Sequence, residues 1–403
     1  MTEFGRAIRS RFLLEPGIAF LNHGSFGTVP REVYAVADDW RRRLEVNPDR
    51  FIRETLPPAI REAVAKIAPF FKARPEDIVF TDNATAGVNA ILRSLDFTPG
   101  DEMLSTDHAY GAVANAIRYV ATRTGASAVF AEVKMPAASA DEIFTAITGR
   151  FSPKTKLLVI DHITSATALI FPVERLTKFA RERGVRVLID GAHGPGHLAL
   201  DIPSIGADWY VGNCHKWLFA PRGCAILWAR EDAQKLIHPL SISHDYNNGF
   251  TEEFDWTGTR DPAPYLSAQA GLEFLRELGV ETVQKHNRAL ALSAAQRMAQ
   301  RWDEPMNAPP ELLGAMASVR LPQSWQKFGA PVRATARLLC QRILQRDRIM
   351  VAIMPSSGAL WARVSAQVYN EPEDYDGVVG FIDREPPTTP EWATLDAAAS
   401  RRP

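Results

Sequence analysis

Val187-Leu188-Ile189-Asp190-Gly191-Ala192-His193 is an apolar run that stops at a carboxylate and a small-residue turn, and 26 positions after that carboxylate Gly212-Asn213-Cys214-His215-Lys216 ends a second apolar run in a cation. Short β-branched runs without polar alternation predict strands buried on both faces, as in a parallel sheet. The same pattern extends in both directions. Asp77 to Thr81, Glu102 to Ser105, Ala128 to Val133, Lys156 to Ile163, Val185 to Asp190, Trp209 to Gly212 and Ala225 to Trp228 are strand candidates. Between them lie helical patterns at Thr85 to Leu95, Ala109 to Thr122, Ala140 to Gly149 and Pro172 to Arg183, the last strongly amphipathic. Strands alternating with helices predict an α/β sheet, mostly parallel, with ligands at the carboxyl ends of the strands.

After Asp261-Pro262-Ala263-Pro264 the pattern turns to long helices, Tyr265 to Leu278 and Val280 to Trp302. A smaller α/β unit comes next, with strands at Ala317 to Leu321, Ile349 to Met354 and Leu360 to Ser365, a helix at Pro331 to Gln345 and another from Glu373. A chain of 403 residues exceeds what one core usually supports, so a large domain with a smaller companion is expected. The expected division is an N-terminal segment at 1–20 packing with the small domain, a large domain at 21–263, a small domain with its linking helix at 264–385, and a weakly ordered tail at 386–403.

The 46 Lys and Arg nearly balance the 47 Asp and Glu, which excludes the strong basic field that nucleic acid or an anionic membrane surface requires. A small anionic ligand needs only local charge. The three cysteines, Cys214, Cys224 and Cys340, form neither a CxxC nor a Cys/His metal pattern, so no metal site and no disulfide framework are expected. Met1 to Arg11 is charged, and no stretch reaches ~18 apolar residues, so neither export nor a membrane span is expected and the cytoplasm is the natural compartment.

A lysine at a strand end, desolvated and near other cations, has a depressed pKa and can form a Schiff base with an aldehyde. Taken alone, Lys216 would read as a solvated charge. A buried Asp190 can keep a pyridinium nitrogen protonated; by itself it reads equally well as a cap on the following turn. Thr81-Asp82-Asn83-Ala84-Thr85-Ala86-Gly87 is a small-residue turn opening a helix, suited to a phosphate, although Thr85 would also serve as an ordinary N-cap. The turn has neither GxGxxG nor Gly-Lys-Ser/Thr, which disfavours a nucleotide loop.

In chain order the phosphate turn, His108, Asp190, His193 and Lys216 each stand at the carboxyl end of a predicted strand. Further motifs are Leu21-Asn22-His23-Gly24-Ser25-Phe26-Gly27, Asp107-His108-Ala109-Tyr110-Gly111-Ala112, Asp190 to Gly196, Trp256-Thr257-Gly258-Thr259-Arg260-Asp261, and Arg363-Val364-Ser365 with Tyr369-Asn370. With these motifs the chain resembles the class V aminotransferase family of fold-type I pyridoxal-5'-phosphate (PLP) enzymes, and within it the isopenicillin N epimerase-like branch, from about Leu21 to Tyr369. The resemblance implies a large domain with a seven-stranded, mostly parallel sheet and a smaller C-terminal α/β domain. It implies that Lys216 carries PLP as a Schiff base, that Asp190 pairs with the ring nitrogen, and that His193 meets the phenolic oxygen. His108 would stack over the ring, with Tyr110 close enough to share its role. Ala84, Thr85 and His215 would hold the phosphate, and Thr259 would reach it from a second subunit of a homodimer. Asn22, His23 and Arg363 would face the substrate, with Arg363 gripping the α-carboxylate of a small-molecule amino-acid substrate. Apart from the resemblance, His193 could cap a turn, His108 could sit in the core, and Arg363 could make a surface salt bridge.

These residues imply chemistry at Cα or Cβ of an amino acid or amino-acid conjugate, with Lys216 as base and His108 or Tyr110 as a second acid. Epimerisation and C–S cleavage stand ahead of transamination, which would need a second acceptance of a 2-oxo acid. A non-catalytic binding or regulatory protein on the same fold is the alternative of another class; Lys216, Asp190 and Arg363 together argue against it. A desulfurase is disfavoured, because none of the three cysteines reads as an exposed loop nucleophile.

Overall fold

Alternate residues of each apolar run go to opposite faces of one sheet: Val187 and Ile189 join one core, while Leu188 joins the other with Trp209 and Val211. Because both faces must be covered, the runs are apolar throughout and not alternating. The computed structural model describes residues 3–326 and 332–384. Labelling only the elements used below, the strands are β1 (Ile78–Thr81), β2 (Glu102–Thr106), β3 (Ser127–Ala131), β4 (Thr155–Asp161), β5 (Arg186–Asp190), β6 (Trp209–Asn213) and β7 (Ala225–Ala229). They form a seven-stranded sheet in the order 1-7-6-5-4-2-3. All neighbours are parallel except β7, which runs antiparallel to β1 and β6. Each fully buried Leu, Ile or Val in these strands contributes ~1.5–3 kcal/mol.

Helices α1 (Leu56–Ile67), α2 (Ala84–Ser94), α3 (Gly111–Thr124), α4 (Ala140–Thr148) and α5 (Val173–Arg181) pack around the sheet. In α5 the buried positions Val173, Leu176, Thr177 and Ala180 repeat at the helical period, which is why this segment reads so clearly as amphipathic. Asn83 caps α2 and Ser139 caps α4 through their side chains.

The expected helix from Tyr265 to Leu278 is two segments, Ala263–Leu266 and α6 (Ala268–Leu278), broken at Ser267, whose φ of −100° and ψ of 0° depart from helix. The break lets Gly271 of α6 lie against the Leu218–Ala220 backbone, just after Lys216. Helix α7 (Val280–Trp302) comes next, as expected. The expected strand at Ile349 to Met354 is also divided, because its halves have different partners. Ile349–Met350 pairs in parallel with Ala19–Phe20, whereas β9 (Ala352–Ser356) pairs with β10 (Ala359–Ser365), itself paired with β8 (Met316–Arg320). This three-stranded sheet is antiparallel, with α8 (Arg333–Asp347) packed on β9 and α9 (Asp376–Arg384) on α8. The N-terminal segment meets the residues just past β10: Gly5 N donates to Val368 O at 2.7 Å, and the Phe12 and Tyr369 rings lie 4.9 Å apart. Pro331 and the tail at 386–403 lie outside the described residues. No described helix is long and apolar enough to cross a membrane.

Candidate active site

Strands β5 and β6 end side by side, and the turns that leave them meet at one point. After β6 the chain turns at Cys214 and brings Lys216 Nζ to 3.2 Å from His193 Nε2. Gly196 allows the two turns to touch: its φ is +80°, and a Cβ there would overlap the Trp217 carbonyl. Burial pushes the Lys216 pKa down to about 7; nearby Asp190 opposes that shift and Arg363 adds to it. His193 is driven well below its ordinary value by burial and then by Lys216, so its ring is neutral. The Trp217 Nε1–H donates to His193 Nδ1 at 3.3 Å, which leaves the ring proton on Nε2, facing the lysine. His193 therefore offers a donor at this point, a polarity the sequence leaves open.

The Asp190 carboxylate is buried and accepts from Ala192 N at 3.0 Å. Beside it, in register across β4 and β5, lies a second buried carboxylate, Asp161. Burial and then the charge of Asp190 push Asp161 well above the usual carboxylate range. Asp190 is raised by burial too, but Ala192 N–H and Lys216 hold it back. Of the two, Asp161 is thus the more strongly raised, and Asp190 is the one whose surroundings favour the charged form.

In the turn before α2, Asn83 is the cap, its Oδ1 accepting from Ala86 N at 2.9 Å. Thr85, the second residue of the helix, is therefore not the cap that its sequence position also allowed. Ala84 does not match its expected role: its N–H already donates to Asn213 Oδ1 at 2.8 Å. Thr85, with its hydroxyl and first-turn N–H, is the better placed anion contact. His215 bonds through Nδ1 to Cys224 O at 3.1 Å, and burial lowers its pKa to about 4.

Three further expectations need correction. His108 has both ring nitrogens engaged, Nδ1 with Thr167 Oγ1 and Nε2 with Val133 O, each at 2.7 Å. Nε2–H donates to that carbonyl and Nδ1 accepts from the hydroxyl, so the one proton of this buried, neutral ring is already committed; this argues against His108 as the acid and does not bear on its stacking over the cofactor. Tyr110 is 47 % exposed at the mouth of the site, and among the described residues no partner engages its hydroxyl. His23 does not face a substrate, because Nδ1 meets Tyr369 Oη at 2.8 Å and Nε2 meets Lys216 O at 2.9 Å; it holds the lysine's backbone in place. Asn22 Oδ1 accepts from Arg363 Nη2 at 2.8 Å and positions that guanidinium.

Arg363, on β10, is fully buried and is no surface ion pair. Its Nη2 also donates to Ser25 Oγ at 2.8 Å, and its Nη1 donates to Ser165 O. Its Nε–H is buried without a partner, and among the described residues no carboxylate faces the group. Burial lowers its pKa to about 10, so it remains cationic at neutral pH. A buried cation served only by neutral acceptors is unbalanced until an anion arrives. Thr259 is exposed and lines a groove with Ile52, Leu56 and Trp256 on the outside of the same chain.

Residues 28–322 match the family described as aminotransferase class-V. The chain belongs to that family. It is 33% identical over 401 residues to a probable chloroplastic L-cysteine desulfhydrase of Arabidopsis thaliana, covering 91% of this chain and 84% of the relative. It is 32% identical over 382 residues to an isopenicillin N epimerase of Amycolatopsis lactamdurans, covering 90% and 94%. Among solved structures, the cysteine desulfurase of Thermococcus onnurineus NA1 superposes with a TM-score of 0.78 at 19% identity, covering 95% of this chain and 98% of that one, a likeness of fold. The class-V member described here is a PLP-dependent enzyme, and its residues fit that cofactor: a buried amine of depressed pKa, a buried carboxylate with acceptor capacity unused, and a helix N-terminus with Thr85.

Sequence reasoning missed Asp161, Asn213 and Trp217. Val159-Ile160-Asp161 repeats the ending of the Asp190 strand and was a signal available to find Asp161. The contacts of Asn213 and Trp217 exist only once β6 lies beside β5 and α2.

Proposed function

We propose that this enzyme cleaves a bond from sulfur to Cβ of an L-amino acid or its conjugate, with Lys216 as the covalent anchor of PLP and the base at Cα. PLP, when bound, makes the Cα–H acidic by drawing its electrons into the ring. Asp190 would hold the ring nitrogen's proton and His193 Nε2–H would donate to the phenolic oxygen. Thr85 and His215 would lie at the phosphate, while Arg363 would take the α-carboxylate. Lys216, with its proton affinity lowered by burial, would accept the proton from Cα and return it elsewhere.

The observation that carries the choice of elimination is the immobilised His108. Two-base epimerisation requires an acid held against the face opposite Lys216; with both His108 nitrogens engaged the remaining candidate is Tyr110, which is half exposed and whose hydroxyl no bond among the described residues fixes there. Elimination needs only Lys216 and a donor for the leaving thiolate, a task Tyr110 can perform from its exposed position. The relatives' names, a desulfhydrase and an epimerase, fit either outcome. Incubation with cysteine and S-substituted cysteines in deuterated water tests the reading. Thiol or sulfide with pyruvate and ammonia supports it; inverted, Cα-deuterated amino acid without thiol release would replace it with epimerisation. A 2-oxo acid retaining the side chain would make the enzyme an aminotransferase.

We infer a homodimer as the working unit, because Thr259 is exposed in a groove of about 900 Å³ on α1 and its preceding turn, where Ile52, Leu56 and Trp256 alternate with charged side chains such as Arg53, Arg61 and Asp255. The free cysteines Cys214, Cys224 and Cys340 accord with a reducing compartment, the cytoplasm. The division into 1–20, 21–263 and 264–385 is likewise proposed.

A further inference from the structure

A cavity of about 1040 Å³ opens in front of Tyr110 and Ser165, the residue whose carbonyl accepts from Arg363, so it continues outward from the carboxylate grip. Its far wall is α8, where Arg333 and Arg337 stand one turn apart and line the same space. The Arg333 guanidinium crosses to Gly111, the first residue of α3, and a Cβ at that position would overlap it. Neither arginine has an ion pair among the described residues. Two helices of 14 and 15 residues, α3 and α8, begin on this cavity, and neither has an acidic residue in its first turn or a side-chain cap. A cation beside a helix N-terminus is unfavourable, so placing one there without an acid leaves an uncompensated positive field. Among the described residues lining the cavity, Asp107 alone carries a carboxylate, and its Oδ1 already accepts from Val133 N at 3.0 Å. The field is local, since the whole chain has a formal charge of −1.

We propose that this cavity is a second anion subsite, in which Arg333 and Arg337 receive a carboxylate at the far end of the substrate's side chain. The preferred substrates are then amino-acid conjugates with an acidic tail. The proposal rests on the reading that Arg363 takes the α-carboxylate, which fixes the direction in which the tail points.

The test uses the holoenzyme and cysteine S-conjugates of equal chain length that end in a carboxylate, a carboxamide or an ammonium group. Exchange of the Cα proton for deuterium and release of thiol are measured separately. The carboxylate-tailed conjugate should be favoured over the carboxamide by about tenfold or more in kcat/KM, falling with added salt. In the Arg333→Gln, Arg337→Gln double variant the ratio should drop toward one. In Arg333→Glu with Arg337→Glu the ammonium-tailed conjugate should become the preferred one, a gain that misfolding cannot produce. Equal exchange for all three tails, or a carboxylate preference surviving in the Gln double variant, overturns the subsite whether or not thiol is released. Selective exchange without thiol release supports the subsite and overturns the lyase reading alone.

Discussion

Replacing Arg363 with Ala removes a guanidinium whose surroundings define what the ligand must supply. One N–H of Nη1 and both of Nη2 serve Ser165 O, Asn22 Oδ1 and Ser25 Oγ, so Nε–H and the second Nη1–H remain on separate edges of the group, and a substrate carboxylate meets one of them or displaces one of the neutral acceptors. Charge-assisted bonds contribute ~1.5–3 kcal/mol each, and water entering the vacated space offsets part of their loss. A net loss of ~2–4 kcal/mol is expected, or ~30- to 1000-fold in kcat/KM. Because the α-carboxylate is held alike before and during the reaction, the loss should fall mainly on KM. Arg363→Lys should recover only part of it, since an ammonium cannot serve three protein acceptors and a carboxylate together. Steady-state kinetics on any amino acid turned over, with inhibition by simple monocarboxylates as a second readout, measures the effect. An unchanged KM in both variants would refute the reasoning and move the carboxylate elsewhere. Melting of the cofactor-free protein separates binding from folding. Burial holds the Arg363 pKa down at about 10, below its ordinary value, so its charge costs stability at every pH below about 10. At neutral pH the Ala variant should therefore melt close to the native protein, despite its lost hydrogen bonds.

Lys216→Ala should abolish the hydride-reducible link to PLP, and a reducible link persisting on another lysine would displace Lys216 from its role. In the cofactor-free enzyme the Lys216 pKa lies at about 7, below its ordinary 10.5, so the neutral amine appears as pH rises through 7. The rate of reconstitution with PLP should climb over that range and level off above it; a limb near 10 would show that the lysine is not desolvated. By the same linkage, Lys216 binds a proton in the unfolded but not the folded chain between those values, so its contribution to stability grows from pH 7 upward. Trp217→Phe should free the His193 tautomer and shift the pH at which the bound cofactor's visible band changes, with little change in KM; an unmoved transition would deny Trp217 its positioning role. Tyr110→Phe should slow thiol release while Cα–H exchange continues, whereas equal loss of both would place Tyr110 at an earlier step. Sedimentation should find a dimer, and a fully active monomer would remove Thr259 from the site.

The strands were legible in the sequence because burial on both faces demands unbroken apolar runs, a property of each segment alone. Asp190 and Lys216 were legible because each interrupts such a run with a charge, and burying a charge without purpose is costly. The two misjudged elements have non-local causes: Ile349 to Met354 divides because its halves pair with different strands, and the helix after Pro264 breaks at Ser267, where α6 turns onto the Lys216 loop. The roles of the histidines could not be read from residue type, since an imidazole's function depends on what its two nitrogens already hold. Contacts 59 and 25 positions away along the chain immobilise His108, and one 346 positions away engages His23. The sequence by itself determined which residues are chemically able to act; tertiary packing decided which retain a free hydrogen-bonding group with which to do so, because each such group is consumed by whichever partner the fold brings within reach.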